Sequence, residues 1–263
     1  MLDLWVGLAA LLLLVAAAGG GLALWGARGP WHQASLVARL AAGIALTVAL
    51  TSAVAGSGMP SPLDLRQVIL SLALGGLAAD LALAGLLRIE GAGPALDLPV
   101  LALVAAALLI AWPAGTPLDC TQRAAPFWLQ WAFFLVGAGG ALAAGGAGLA
   151  WAFQAAFQEA RPALQWPPEV ESHRLLLAAT SLALIGLGAG LAISAWWAWR
   201  TVGSLAGGDP RQAWMAITWL FLAMSLLAWQ LEGRAGRWSA ALAGLGAAAT
   251  VVGLLVVPYV VQL

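Results

Sequence analysis

The amino-acid sequence predicts an all-α membrane protein, a single bundle of about eight transmembrane helices over residues 1–263. Of these residues 63% are hydrophobic, and the mean hydropathy is +0.95. Only 8% are charged, whereas ordinary soluble domains carry about 25%. Apolar runs of about 20 residues, long enough to cross the hydrocarbon core of a bilayer, follow one another along the chain. These three observations exclude a water-soluble domain.

Eight apolar segments are the predicted spans. They are Leu4–Trp25, Ser35–Ala55, Leu65–Leu87, Leu98–Trp112, Phe127–Phe153, Leu175–Trp199, Trp214–Leu231 and Trp238–Val257. An even number of spans places both termini on the same side of the membrane. The net charge of zero offers no electrostatic attraction for nucleic acid.

The arginines predict which side this is, because positively charged residues near spans stay in the cytoplasm. Seven fall on one side of the predicted topology: Arg28, Arg39, Arg88, Arg161, Arg174, Arg234 and Arg237. Four fall on the other side: Arg66, Arg123, Arg200 and Arg211. We therefore expect an integral protein of the bacterial inner membrane with its N- and C-termini outside.

The densest sequence signal lies between the sixth and seventh spans, in SAWWAWRTVGSLAGGDPRQAWMAITWL. Tryptophan prefers the membrane–water boundary. The informative groups here and just upstream are Pro167-Pro168-Glu169-Val170-Glu171, Trp197-Ala198, Gly203-Ser204, Asp209-Pro210, Trp214 and Ile217-Thr218-Trp219-Leu220. They resemble the cytochrome c assembly family of haem-handling membrane proteins (the CcsA, ResC and HemX type). The resemblance covers residues 126–263, and residues 1–125 share only the helix count with that family.

The family resemblance implies haem held between helices and presented at an outer loop, yet this chain departs from the family at the haem site. The family's loop tryptophans are replaced by Val202, Ala206 and Gly208. Two of its haem histidines fall near Gln130 or Trp131 and near Leu227, and the C-terminal histidine has no counterpart. The resemblance therefore implies that this chain keeps the family's fold but lacks the family's haem-binding residues.

Five residues remain candidates for cofactor binding. His32 and His173 are the two histidines, and histidine is a common axial haem ligand. Haem on one or both is possible; the alternative is that both are solvated or interfacial. Trp197, Trp214 and Asp209 form the rest of this candidate haem platform. Trp197 and Trp214 also fit an interfacial belt, and Asp209 before proline also fits a helix cap.

Two further patterns concern the inside of the bundle. Asp80 lies well inside a span, where a charge is costly unless it is paired or protonated, and Arg39 has a comparable depth. We expect a structural ion pair between them; the alternative is a neutral Asp80 facing a polar cavity. Gly186 and Gly190 have the spacing that lets two helices approach closely, either within the bundle or against a partner or flat cofactor.

Two functions follow from these observations. The first is a cytochrome c assembly-like membrane protein with reduced haem handling. The alternative is a non-catalytic accessory or assembly subunit of a respiratory or photosynthetic electron-transfer complex. No nucleophile–base arrangement, phosphate loop or metal-ligand spacing occurs, so we expect no enzyme. The predicted partners are bilayer lipids and other membrane subunits, or a partner in cytochrome c assembly.

Overall fold

The computed structural model describes residues 2–24, 28–57, 64–87, 93–109, 125–157, 169–204, 210–232 and 236–256. Every regular element in these ranges is helical: α1 (Leu2–Leu24), α2 (Arg28–Ser57), α3 (Leu65–Leu87), α4 (Gly93–Leu109), α5 (Ala125–Phe157), α6 (Glu169–Val202), α7 (Pro210–Glu232) and α8 (Arg237–Val251). A π-helical segment, Val252–Val256, continues α8. Seven of these helices, all except α4, are long and apolar enough to cross a membrane. The predicted all-α polytopic bundle is thus confirmed.

The helix bounds differ from the predicted spans mainly at their ends. Helices α5 and α6 have 33 and 34 residues, more than the roughly 20 needed to cross the hydrocarbon core, so they extend beyond it. Helix α4 begins at Gly93 rather than at the predicted Leu98. Its first turn contains Pro94. Proline is tolerated at this position because the backbone N–H groups of a first helical turn have no acceptor within the helix. The predicted span ends at Trp25, Trp112 and Val257 lie outside the described residues.

Helices that follow each other in sequence pack side by side and antiparallel. Ser35 on α2 donates a hydrogen bond to the Ala16 carbonyl oxygen of α1 at 2.9 Å. Ser225 on α7 donates to the Ser239 carbonyl oxygen of α8 at 2.7 Å. The helices form two groups, α1–α4 and α5–α8, which meet where α3 and α4 pack on α5.

Helix α5 is the centre of the bundle, and its glycines allow this. A Cβ on Gly137 would lie 2.5 Å from the Leu187 nitrogen, and a Cβ on Gly186 would lie 2.5 Å from the Gly137 nitrogen. On another face, a Cβ on Gly139 would lie 2.5 Å from the Gly75 carbonyl oxygen of α3. Such close approach is what small residues permit between membrane helices. These glycines of α5 and α6 therefore form close helix contacts inside the bundle.

Candidate functional site

A buried charge cluster joins α2, α3 and α4. Arg39 donates its Nε–H and its Nη2–H to Oδ2 of Asp97, at 3.1 and 3.0 Å. Its Nη1 atom lies 3.6 Å from Oδ2 of Asp80. All three side chains are buried. Two carboxylates therefore share one guanidinium, with the hydrogen bonds made to Asp97 and a longer ion-pair contact made to Asp80.

The antiparallel order of the helices brings these three residues to the same end of the bundle. Arg39 lies in the first half of α2, Asp80 in the second half of α3, and Asp97 in the second turn of α4. At the opposite end, Arg66 at the start of α3 is paired with Asp3 at the start of α1.

The cluster is a means of fixing three helices against one another. A charge in the membrane core costs a few kcal/mol unless it is paired, so Arg39 and its two acids stabilise each other's burial. Nε of Arg39 also lies 2.9 Å from Oδ1 of Asp97, so the guanidinium faces both oxygens of that carboxylate. Oδ2 of Asp80 is buried without a hydrogen-bond donor among the described residues, so Asp80 is the less completely paired acid.

Asp97 is the member of the cluster that sequence reasoning missed. The predicted partner of Arg39 is Asp80, and the structure does bring these two residues together. Asp97 was missed because the predicted fourth span starts at Leu98, which leaves the acid just outside it. Since α4 starts at Gly93, Asp97 lies inside the helix. The available signal was an acid immediately before a long apolar run.

The C-terminal end of α6 carries the first part of the tryptophan-rich stretch. Gly203 has a φ of +72°, and its N–H donates to the Trp199 carbonyl oxygen at 3.1 Å, so a left-handed glycine ends the helix. The rings of Trp196 and Trp197 lie 6.2 Å apart and tilted, and the Arg200 guanidinium lies 5.8 Å from the Trp196 ring. Trp197 is half-buried, whereas Trp196 is exposed, as an interfacial aromatic belt would be.

The tryptophans of α7 serve helix packing. The indole N–H of Trp219 donates to the Leu184 carbonyl oxygen of α6 at 3.1 Å. Trp214 is half-buried beside the π-helical segment, where a Cβ on Gly253 would lie 2.6 Å from the Trp214 Cβ. Trp219 thus joins α7 to α6, and Trp214 lies against the end of α8. Asp209 lies outside the described residues, as do Pro167 and Pro168.

The two histidines belong to different parts of the bundle. His32 is half-buried near the start of α2, and His173 is half-buried near the start of α6. Helix α2 packs on α1 and α3, whereas α6 packs mainly on α5 and α7. Helices α2 and α6 make no extensive contact, so the structure does not bring these two histidines to a common helix interface.

The positions to which the sequence resemblance assigns two of the family's histidines are also far apart. Gln130 is buried near the start of α5, with Trp131 half-buried beside it. Leu227 lies in the last third of α7 and is 54% exposed. Because α5 and α7 are both antiparallel to α6, they run parallel to each other. Gln130 and Leu227 therefore lie toward opposite ends of the bundle.

The fold is similar to that of the solved structure "Cytochrome c Heme Lyase CcmF", with a TM-score of 0.61. The similarity covers 97% of this chain and 46% of that chain, at 21% sequence identity. This chain thus spans less than half the length of that protein. No protein-family model and no curated protein matches the sequence. At this level of identity the similarity shows a shared helical fold.

The residues at the two histidine positions do not fit a haem group bound there. Haem iron is held in proteins by an axial side chain such as histidine, cysteine, methionine or tyrosine. Here one position offers the buried amide of Gln130 or the indole of Trp131, and the other offers the aliphatic side chain of Leu227. None of these is a usual haem ligand.

Proposed function

We propose that this protein is an integral membrane protein of the cytochrome c assembly type that acts as a scaffold and does not hold haem at the family's ligand positions. One combined observation carries the proposal. The fold is similar to that of a haem lyase over 97% of this chain, while the resemblance puts two of the family's histidines near Gln130 or Trp131 and near Leu227, where this chain has no histidine. A protein that keeps the fold but has lost the haem-binding residues would show both features.

The proposal includes a location and an orientation. The protein lies in the bacterial inner membrane with both termini outside, so the α6–α7 connection faces the outer side, where the family presents its haem loop. The arginine distribution supports this orientation. It also places the Arg39 cluster toward the cytoplasm.

The proposed scaffold acts through partners. Among the described residues no group of three His, Cys, Asp or Glu side chains could hold a metal ion. The partners are other membrane subunits that carry or attach haem. The exposed Trp196 and Trp199 at the outer end of α6 are suited to contact them at the membrane surface.

Deletion of the gene in its native host tests this function. We expect all membrane-bound c-type cytochromes to lose covalently attached haem several-fold, measured by haem staining and normalised to apocytochrome by immunoblot. Haem b content should be unchanged. The wild-type gene should restore attachment, and so should a variant with both histidines replaced, H32A/H173A.

Two outcomes would contradict the proposal. Full haem attachment to c-type cytochromes in the deletion strain would remove the assembly role altogether. Loss confined to one electron-transfer complex, with other c-type cytochromes intact, would favour the alternative of an accessory subunit of that complex.

A further inference from the structure

An open groove runs along the membrane-facing side of α5, between α4 and α8. Its volume is about 630 Å³, within the range of about 300–1,000 Å³ that is usual for small-molecule sites. Gly145 and Gly148 of α5 line it with Gly244 of α8, and Leu149 and Leu245 flank them. A Cβ on Gly244 would meet no atom within 4 Å. The groove is thus apolar along its length and open at Gly244.

The groove covers about half of the membrane thickness. Its lining runs from Leu142 to Ala152 on α5 and from Arg237 to Ala247 on α8, which is about 15 Å along each helix at 1.5 Å per residue. The hydrocarbon core of a bilayer is about 30 Å thick. The groove therefore matches one leaflet and is too short for a transmembrane helix of a partner.

The interfacial end of the groove carries a positive charge. Arg237 lines it at the first turn of α8, and its guanidinium lies 5.2 Å from the centre of the Trp238 ring. Both side chains are exposed. Among the described residues no carboxylate oxygen lies within 4.0 Å of an Arg237 nitrogen, although the Glu232 carboxylate lies beside Gly236, the residue before Arg237. The start of a helix adds a partial positive charge at the same place.

We propose that this groove binds one anionic membrane phospholipid. The phosphate lies at Arg237 and Trp238, and an acyl chain follows the seam between α5 and α8 past the open position Gly244 toward the middle of the membrane. Basic pockets between transmembrane helices bind anionic lipid head groups, and an apolar channel of one-leaflet length fits an acyl chain. The inference goes beyond the scaffold function and does not depend on it.

The test is lipid retention by the purified protein in native mass spectrometry. The protein in mild detergent is mixed with equal amounts of phosphatidylglycerol and phosphatidylcholine of the same acyl chains. The wild type should retain phosphatidylglycerol preferentially. R237Q should weaken that retention about fivefold, the factor equivalent to about 1 kcal/mol for one basic residue near a membrane surface. R200Q is the matched control, because Arg200 is also exposed beside a tryptophan ring but lies on α6, away from the groove.

A second pair of variants tests the acyl-chain part of the groove. G244L places a side chain into the groove, whereas G85L places the same side chain into open space on α3. G244L should lower the retention of both lipids, and G85L should not. Equal retention of the two lipids by the wild type, equal losses in R237Q and R200Q, or full lipid retention in G244L would each overturn the proposal. If G244L does not give a monodisperse protein, the arginine pair decides alone.

Discussion

Arg39 and Asp97 are joined by two hydrogen bonds that end on one oxygen, Asp97 Oδ2, at 3.1 and 3.0 Å. Asp80 reaches the same guanidinium only at 3.6 Å. The unequal sharing means that the two acids contribute differently to stability, although both are buried and both are aspartate. It also makes the arrangement of α2, α3 and α4 depend on a single arginine.

Replacing Asp97 by Asn should therefore destabilise the protein more than replacing Asp80 by Asn. A hydrogen bond to a charged group is worth about 1.5–3 kcal/mol, so we expect D97N to lower the free energy of unfolding by about 3 kcal/mol and D80N by less. Reversible unfolding in mixed micelles of mild detergent and dodecyl sulfate measures both. D3N is the control, because the carboxylate of Asp3 is exposed, and its unfolding curve should match the wild type. Equal losses for D80N and D97N would show that the contact distances do not set the energetics.

Replacing Arg39 by Met should cost about 3–5 kcal/mol, because it leaves buried charge without its partner. The triple variant R39M/D80N/D97N should recover much of this loss, because it removes the stranded carboxylates as well. Coupled residues are non-additive in this way. The same unfolding measurement applies. Additive losses in the triple variant would mean that the three side chains act independently.

Because Gly137 and Gly186 are in close contact, the effect of a glycine-to-alanine substitution on stability should depend strongly on its position. G137A and G186A each place a Cβ 2.5 Å from backbone nitrogen of the facing helix, and overpacking of this kind costs about 1–3 kcal/mol. G244A has open space and should be neutral or stabilising by up to about 1 kcal/mol, since alanine is the better helix former. Thermal unfolding of the three variants in detergent is the measurement. Similar melting temperatures for G186A and G244A would refute the close packing.

Trp219 should contribute a specific hydrogen bond between α6 and α7. W219F removes the indole N–H that bonds the Leu184 carbonyl oxygen and should cost about 1 kcal/mol, the usual net value of a hydrogen bond. W199F makes the same change at an exposed tryptophan and should cost less. The difference between the two losses of unfolding free energy measures the hydrogen bond. Equal losses in W219F and W199F would mean that Trp219 contributes by packing only.

The bounds of a helix were predictable from the sequence where a polar residue borders an apolar run. Helix α3 has the predicted bounds, Leu65–Leu87, because Asp64 caps it by accepting hydrogen bonds from the backbone N–H groups of Arg66 and Gln67 at 3.0 and 3.3 Å. In the sequence, Gly91, Ala92 and Gly93 offer no such capping side chain before α4, so its start was predicted too late and Asp97 was left outside the span.

The candidate sites were predictable only as far as depth and spacing allow. The comparable depth of Arg39 and Asp80 indicated their proximity, but depth does not reveal which of two acids receives the hydrogen bonds. Likewise, the spacing of Gly186 and Gly190 predicted a close helix contact without its partner, which is α5. Partner choice depends on how all the helices pack together. A pattern within one helix does not contain this information.

We propose that the protein keeps a fold of the cytochrome c assembly type without a haem site, and an absorption spectrum tests this proposal most directly. The protein is purified in mild detergent, recorded oxidised and then reduced with dithionite, and its haem is quantified as the pyridine haemochrome. We expect far less than one haem per chain, with the same low value in H32A/H173A. A Soret band of one haem per chain that disappears when His32 or His173 is replaced would contradict the claim and assign haem binding to that residue.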